Sequence, residues 1–403
     1  MLHVMRALTQ SGRYESAVLL PADSEVASRF VELGYEVIVA PFPIFGAAGE
    51  RPVTMREVVG CGFQAARAMV RLKQAIVAYG ADGVYLNSGV LAMAALAAYR
   101  LKLPVFWHVR EVLDRQTLLG RSLTRLIGAI STRVFANSAR SAAAVGRGCG
   151  VSIVYDCISD VFARSQAPAR VEEVREGWGC ESDDFVVVLV APMTWKKGHE
   201  VALQAMRRVA CVNRRVRLIF VGGSMMSGAH RQSWRFRLKR AVSRRTDPEE
   251  YLKRLTNKLG LEAAIRFDGW RTDEEVALRL HAADVVIFPP TIAEGFGRPA
   301  AEAALAARAC IATNTGALPE LVLDGLTGWL VPSGDAAALA ERMLHAAACP
   351  EKLVCMGKRA KEIALERFSC VGHDAAILAA FDAAFGSERT GRVGKGSSPR
   401  ATR

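Results

Sequence analysis

The stretch DVVIFPPTIAEGFGRPAAEAALAARACIATNT, residues 284–315, decides the fold. It opens on a continuous apolar run, 284–290, too short for a helix and without the alternation of a half-exposed strand. A loop holding Gly295 and Gly297 follows, then an alanine-rich helix that takes Pro299 in its first turn, then a second buried run at 309–315. Strand, helix, strand in this order is a βαβ unit, and βαβ units build parallel sheets covered on both faces.

The same alternation extends in both directions. Upstream in the same half are FVVVLVAP (185–192), VRLIFVGGS (216–224) and AIRFDGW (264–270). The first half shows YEVIVAPFP (35–43), GVYLNSG (83–89), PVFWHV (104–109) and RVFANS (133–138), with helices at 56–79 and 90–102. The pattern lapses between about 155 and 184, where the chain is polar. The expected architecture is therefore α/β, two doubly wound Rossmann-like domains. The expected division is 1–160, a linker at 161–184, a second domain at 185–373, a helix at 374–385 and a basic tail at 386–403 without apolar periodicity.

Length and composition agree with this. The 403 residues suit two domains, and 51% hydrophobic with 23% charged residues sits near globular averages. A net charge of +13 favours anionic partners without choosing among them. The nine cysteines are scattered with no C-x-x-C pair, which is not the pattern of a disulfide framework or a zinc site and fits a reducing cytoplasm. The N-terminus lacks the pattern of a signal peptide, and no run of some 18 to 20 apolar residues suggests a spanning helix.

The chemistry concentrates in the loop after 284–290. Loops at the carboxyl ends of parallel strands are where open α/β sheets bind ligands. Gly295 and Gly297 permit close backbone approach, and the helix start around Phe296 to Pro299 offers free N–H groups and partial positive charge to a diphosphate. Glu294 and Glu302 could accept hydrogen bonds from ribose and sugar hydroxyls; equally, Glu302 could complement the helix dipole and Glu294 could be solvated. In APMTWKKGHE (191–200), Lys197-Gly198 places a cation at a strand-to-helix turn, with Lys196 one position away. In FWHVRE (106–111), His108 stands at a strand end, where it could serve a substrate or simply be a satisfied structural residue.

The segment E-G-F-G-x-P-x-x-E-A around Glu294 and Glu302 resembles the E-x7-E signature of family 4 glycosyltransferases, and TGALPELVLDGLTGWLVPSGD after it resembles that family's downstream segment. The resemblance extends more weakly over residues 10–385. It implies the GT-B fold, two domains facing a central cleft, with a nucleotide-sugar donor, retention of anomeric configuration, no required metal and no cofactor. It also implies that Lys197, Gly198, Glu294, Gly295, Phe296, Gly297, Arg298 and Glu302 bind the donor, Glu302 holding the ribose. Glu294, near the donor sugar, and His108 are then the expected catalytic residues. Asn137 and Ser138 in FANSARS (135–141) match the family's N-S element.

Three departures from the family pattern stand out. Where the family often has an arginine, about five residues before Lys197, this chain has Pro192 and Met193. The turn expected as N-G-[IV]-D reads Asp156-Cys157-Ile158-Ser159. The first residues read as the inside of a helix, so the family's first strand and Gly-Gly loop are expected to be missing. A separate basic stretch, HRQSWRFRLKRAVSRR (230–245), reads as an insertion: a solvated basic segment, or one suited to anionic headgroups.

The sequence thus leads to a retaining hexosyl-type transferase acting on a cell-surface glycan or lipid-linked precursor. Its expected place is the cytoplasm, with an anionic membrane surface as a further partner. The alternative is an inactive relative with a defective donor site, serving as a binding or scaffold subunit. VGGSMMSG (221–228) is a poor match to the G-x-G-x-x-G of nicotinamide enzymes, and no nucleic-acid recognition module is visible.

Overall fold

The computed structural model describes residues 1–42, 55–146, 150–224 and 247–386. The basic stretch 230–245 and the tail beyond Gly386 lie outside the described residues. The chain divides into two compact units, Met1–Tyr155 with Cys370–Arg403, and Asp156–Ser369.

The first unit begins with α1 (Leu2–Gln10), β1 (Ala17–Leu20), α2 (Glu25–Glu32) and β2 (Glu36–Val39); β1 and β2 pair in parallel. After α3 (Met55–Tyr79) comes a four-stranded parallel sheet in chain order. Its strands are β3 (Val84–Leu86), β4 (Val105–Val109), β5 (Arg133–Ala136) and β6 (Val151–Ile153), linked through α4 (Ala92–Arg100), α5 (Leu118–Ile130) and α6 (Ala139–Val145). Every residue of β4 is buried, and they sort by the two-residue period of a strand. Val105, Trp107 and Val109 pack with Ala95 and Ala98 of α4 and Ile127 of α5. Phe106 turns the other way, into a cluster with Val4 and Leu8 of α1 and with Ile377 and Phe381 of the C-terminal helix. Helices cover both faces, which is why this strand reads as unbroken apolar sequence.

The second unit opens with a 3-10 turn, Asp160–Ala163, and α7 (Pro168–Gly177), inside the stretch where the sequence pattern lapses. No residue of α7 is fully buried, so no apolar period marks it; Pro168 in its first turn is its only signal. Six parallel strands follow: β7 (Phe185–Val190), β8 (Val216–Val221), β9 (Ile265–Gly269), β10 (Val285–Phe288), β11 (Cys310–Thr313) and β12 (Gly328–Val331). They are joined by α8 (His199–Val212), α9 (Pro248–Leu259), α10 (Asp273–Ala282), α11 (Arg298–Leu305) and α12 (Leu318–Leu321); α13 (Ala336–Ala348) and α14 (Pro350–Arg367) follow the last strand. The sheet order is β12-β11-β10-β7-β8-β9. The chain builds outward from β7 to β9, then returns to the other side of β7 with β10. That reversal is the switch point at which open α/β sheets form their ligand crevice.

One expectation needs correcting. By length and composition Pro350–Phe385 is apolar enough to cross a membrane. It is two helices, α14 and α15 (Cys370–Phe385), and each buries apolar residues within the protein: Leu353, Met356 and Ala360 on α14, Ile377 and Phe381 on α15.

Candidate active site

The switch point brings together loops that lie about a hundred residues apart in sequence. β7 pairs with β10 in parallel, Val187 opposite Val285, so both strands deliver their loops to the same edge. The loops touch: the Thr291 amide donates to the Lys196 carbonyl at 2.9 Å. Lys197 then reaches across, and its Nζ donates to Glu294 Oε1 at 2.8 Å. Both side chains are largely but not wholly buried, 24% and 16% exposed. The ammonium also lies 5.5 Å from the centre of the Phe288 ring, a favourable place for a cation.

Close approach of the two loops depends on Gly198. It is the N-cap of α8 with φ +78°, and a Cβ there would stand 1.8 Å from the Pro289 carbonyl oxygen. Only glycine fits. A third loop, after β11, clamps Glu294 from behind. The Ala317 amide donates to the Glu294 carbonyl at 2.9 Å, and a Cβ on Gly316 would meet Glu294 backbone atoms at 2.3 and 2.4 Å. Pro290 beside it accepts from the hydroxyls of Thr313 and Ser333. The carboxylate of Glu294 is thus mounted on a fixed backbone.

Gly297 is the N-cap of α11, so the helix starts at Arg298 with Pro299 in its first turn. Glu302 is therefore the fifth helical residue and begins the second turn, just beyond the first turn where a carboxylate best complements the helix dipole. It is only 7% exposed. Burial raises its carboxyl above the ordinary range, and Arg298, whose Nε donates to Glu302 Oε1 at 3.2 Å, pulls the other way. Phe296 faces inward, with its ring edge-on to Phe368 at 5.4 Å. Its side chain anchors the loop. What Gly295, Phe296 and Gly297 can offer a ligand is backbone, at the positive end of α11.

A cation on one loop paired with a carboxylate on its neighbour, beside a helix N-terminus and at a topological switch point, suits an anionic ligand with hydroxyls. Residues 170–363 match the family model described as glycosyl transferases group 1. That match takes in nearly half of the chain and lies within the second unit, which carries the glycosyl transferases group 1 domain.

Among group 1 relatives, a putative glycosyltransferase, EpsD of Bacillus subtilis, is 28% identical over 206 residues, 51% of this chain and 47% of that protein. The D-inositol 3-phosphate glycosyltransferase of Streptomyces avermitilis is 35% identical over 133 residues, 33% of this chain and 28% of its own length. The matches thus span about half, or less, of these relatives. In solved structures, Anabaena HepE in complex with UDP and glucose superposes with a TM-score of 0.75 at 22% identity, covering 94% of each chain. WaaG, a glycosyltransferase involved in lipopolysaccharide biosynthesis, gives 0.64 at 15%, covering 96% of this chain and 95% of its own. At these identities the likeness establishes the fold, GT-B with two Rossmann-like halves.

Against the group 1 pattern, the departure at 192–193 is physical. Met193 is buried, 1% exposed, and its amide donates to the Gly223 carbonyl at 2.9 Å. A core methionine occupies the position where a second cation was expected.

His108 lies in β4, 1% exposed, with Nδ1 2.6 Å from the Tyr85 hydroxyl and its ring among Phe135 and His373. Its neighbours in the first unit make it part of an aromatic core. The Arg110 amide donates to Glu111 Oε2 at 3.2 Å. Arg110 donates to Asn87 at 3.2 Å, whereas Glu111 receives the Ser88 hydroxyl and the Gly89 amide. Ser138 caps α6, accepting from the Ser141 amide at 3.0 Å, and the Asn137 side chain donates to the Arg110 carbonyl at 3.4 Å.

Sequence reasoning missed His199. It sits in the first turn of α8, directly after Gly198, and is 1% exposed against Phe220. Burial lowers its pKa to about 4, helped by the charge of Lys197; the Ala191 carbonyl opposes the shift but makes no hydrogen bond of normal geometry with either ring nitrogen. The signal was available: residues 199, 202, 203, 206 and 209 form one stripe, and the other four are apolar.

Proposed function

We propose that this chain is a retaining glycosyltransferase that takes a hexosyl unit from a nucleoside diphosphate sugar and adds it to a cell-surface glycan or its lipid-linked precursor. The Lys197–Glu294 pair at the switch point carries the reading. The ammonium would meet the diphosphate together with the N-terminus of α11, and the freed Glu294 carboxylate would turn to the sugar hydroxyls. Glu302, one helical turn away, would accept from the ribose. UDP is the first nucleotide to test, because HepE, of the same fold, holds UDP and glucose.

The chemistry needs no covalent intermediate with the protein. The acceptor hydroxyl would attack from the face the diphosphate leaves, the new C–O bond forming as the old one breaks, with a phosphate oxygen receiving the hydroxyl proton. Catalysis then rests on holding the two substrates and on stabilising charge at the departing diphosphate. The reading calls for no metal ion, since Lys197 and oriented backbone amides carry the charge. The buried Met193 favours a second reading, a donor-binding subunit without transfer activity, because it leaves the diphosphate one cation short.

A thermal-shift panel with UDP, GDP, ADP and their sugar derivatives separates these readings when paired with a turnover assay. At a hundred times its dissociation constant a ligand adds about 2.7 kcal/mol, a shift of a few degrees. A shift with one nucleotide, weakened in Glu302→Ala, with release of that nucleoside diphosphate from its sugar, is the expected result. A shift without release supports the binding subunit. No shift with any nucleotide rejects both.

A further inference from the structure

The first unit carries most of the chain's net positive charge. Between Val58 and Tyr155 stand twelve arginines and lysines against three acids, an excess of nine out of a net +13. From Arg115 to Tyr155 there are six arginines and no acid at all. In the middle of this field, the first turn of α5 presents Leu118 at 80% exposure and Leu119 at 48%.

These leucines are held out by a built turn. The Thr117 hydroxyl donates to the Asp114 carbonyl at 2.8 Å and accepts the Gly120 amide at 3.0 Å. The Gln116 amide donates to Asp114 Oδ1 at 2.9 Å, and the Arg121 guanidinium closes the turn onto the carbonyls of Arg115 and Gln116. The fit is so close that a Cβ on Gly120 would stand 1.9 Å from the Asp114 carbonyl oxygen. Leu123 and Ile127 of the same helix face the core, so α5 has an inward apolar face of its own and does not need the pair 118–119 for packing. Arg125, on the outer side of the helix, is exposed.

From this we infer that the start of α5 docks on an anionic lipid bilayer, with Leu118 and Leu119 entering the headgroup boundary and Arg115, Arg121 and Arg125 meeting lipid phosphates. Two rigidly displayed leucines among arginines, with Asp114 the one acid in their turn, match a surface that is apolar below and anionic above. The inference does not depend on the donor or on the transfer reaction. It places the membrane contact in the first unit, apart from the basic stretch 230–245.

The test is sedimentation of the full chain with vesicles of phosphatidylcholine alone and of phosphatidylcholine with 30 mol% phosphatidylglycerol. Each cation near such a surface is worth roughly fivefold in binding. Binding to the anionic vesicles is expected, falling at least tenfold both in Leu118→Ser/Leu119→Ser and in Arg115→Gln/Arg125→Gln. The serine variant is expected to keep its far-ultraviolet spectrum and to melt within a few degrees of the parent, since Leu118 is mostly and Leu119 half exposed to water. Absence of binding to anionic vesicles overturns the inference. So does undiminished binding by the leucine variant, which would put the contact elsewhere, and so does equal retention of both variants on a soluble polyanion such as heparin with no vesicle preference.

Discussion

His199 is the residue whose behaviour the structure constrains most tightly. Its folded pKa of about 4 lies below the ordinary 6.5, so between these values the unfolded chain binds a proton that the folded chain does not. Stability is therefore full above pH 6.5 and is lost as the pH falls toward 4, by about 3 kcal/mol from this one ring. Urea unfolding at pH 7.0 and 4.5 should show that loss, and His199→Leu should flatten the slope between them. Lys197 gives a prediction of a different kind. Lys197→Ala should lower turnover by about 10²- to 10³-fold while leaving the fold intact, and Lys197→Arg should recover part of it. Steady-state kinetics with the donor identified by the thermal panel would decide. Lys197, Glu294 and Glu302 were legible as candidates because glycines, a proline and a helix pattern surround them. Their pairing was not: Lys197 with Glu294 depends on which strands become neighbours, and no local pattern encodes that.

At the scale of elements, the loop after β10 is kept rigid by the one after β11. Gly316→Ala, at φ +60° with Glu294 backbone in the way, should cost about 2 kcal/mol or more and should depress activity beyond what the lost stability explains. Chemical denaturation alongside the transfer assay measures both. The long buried strands were plain in the sequence. FVVVLV and VVIF are unbroken apolar runs because helices cover both their faces. The elements that were not read are short or one-sided. β1 has four residues with one fully buried, and β6 has three with none. β12 was hidden within a segment quoted for its motif, since Gly328 begins it and a glycine argues against a strand. Here glycine is required by the neighbour, because a Cβ would lie 2.0 Å from the Cys310 carbonyl oxygen.

For the whole molecule, the uneven charge has a measurable effect. Excess positive charge in the first unit repels itself, and salt screens it. Raising sodium chloride from 50 to 500 mM should lift the melting temperature by roughly 1–3 °C rather than lower it. Fluorimetric melts would show an unchanged or falling value if the charges were already balanced by their neighbours. The strand order carries a consequence for synthesis. When β7, β8 and β9 have left the ribosome, β7 still lacks the partner on its other side, and β10 begins 95 residues after β7 ends. At about 5–20 residues per second, that edge waits about 5–20 s before it is covered. The nascent chain is therefore most open to wrong pairing while the switch-point crevice does not yet exist, and a chaperone that favours the nascent chain would act in that interval.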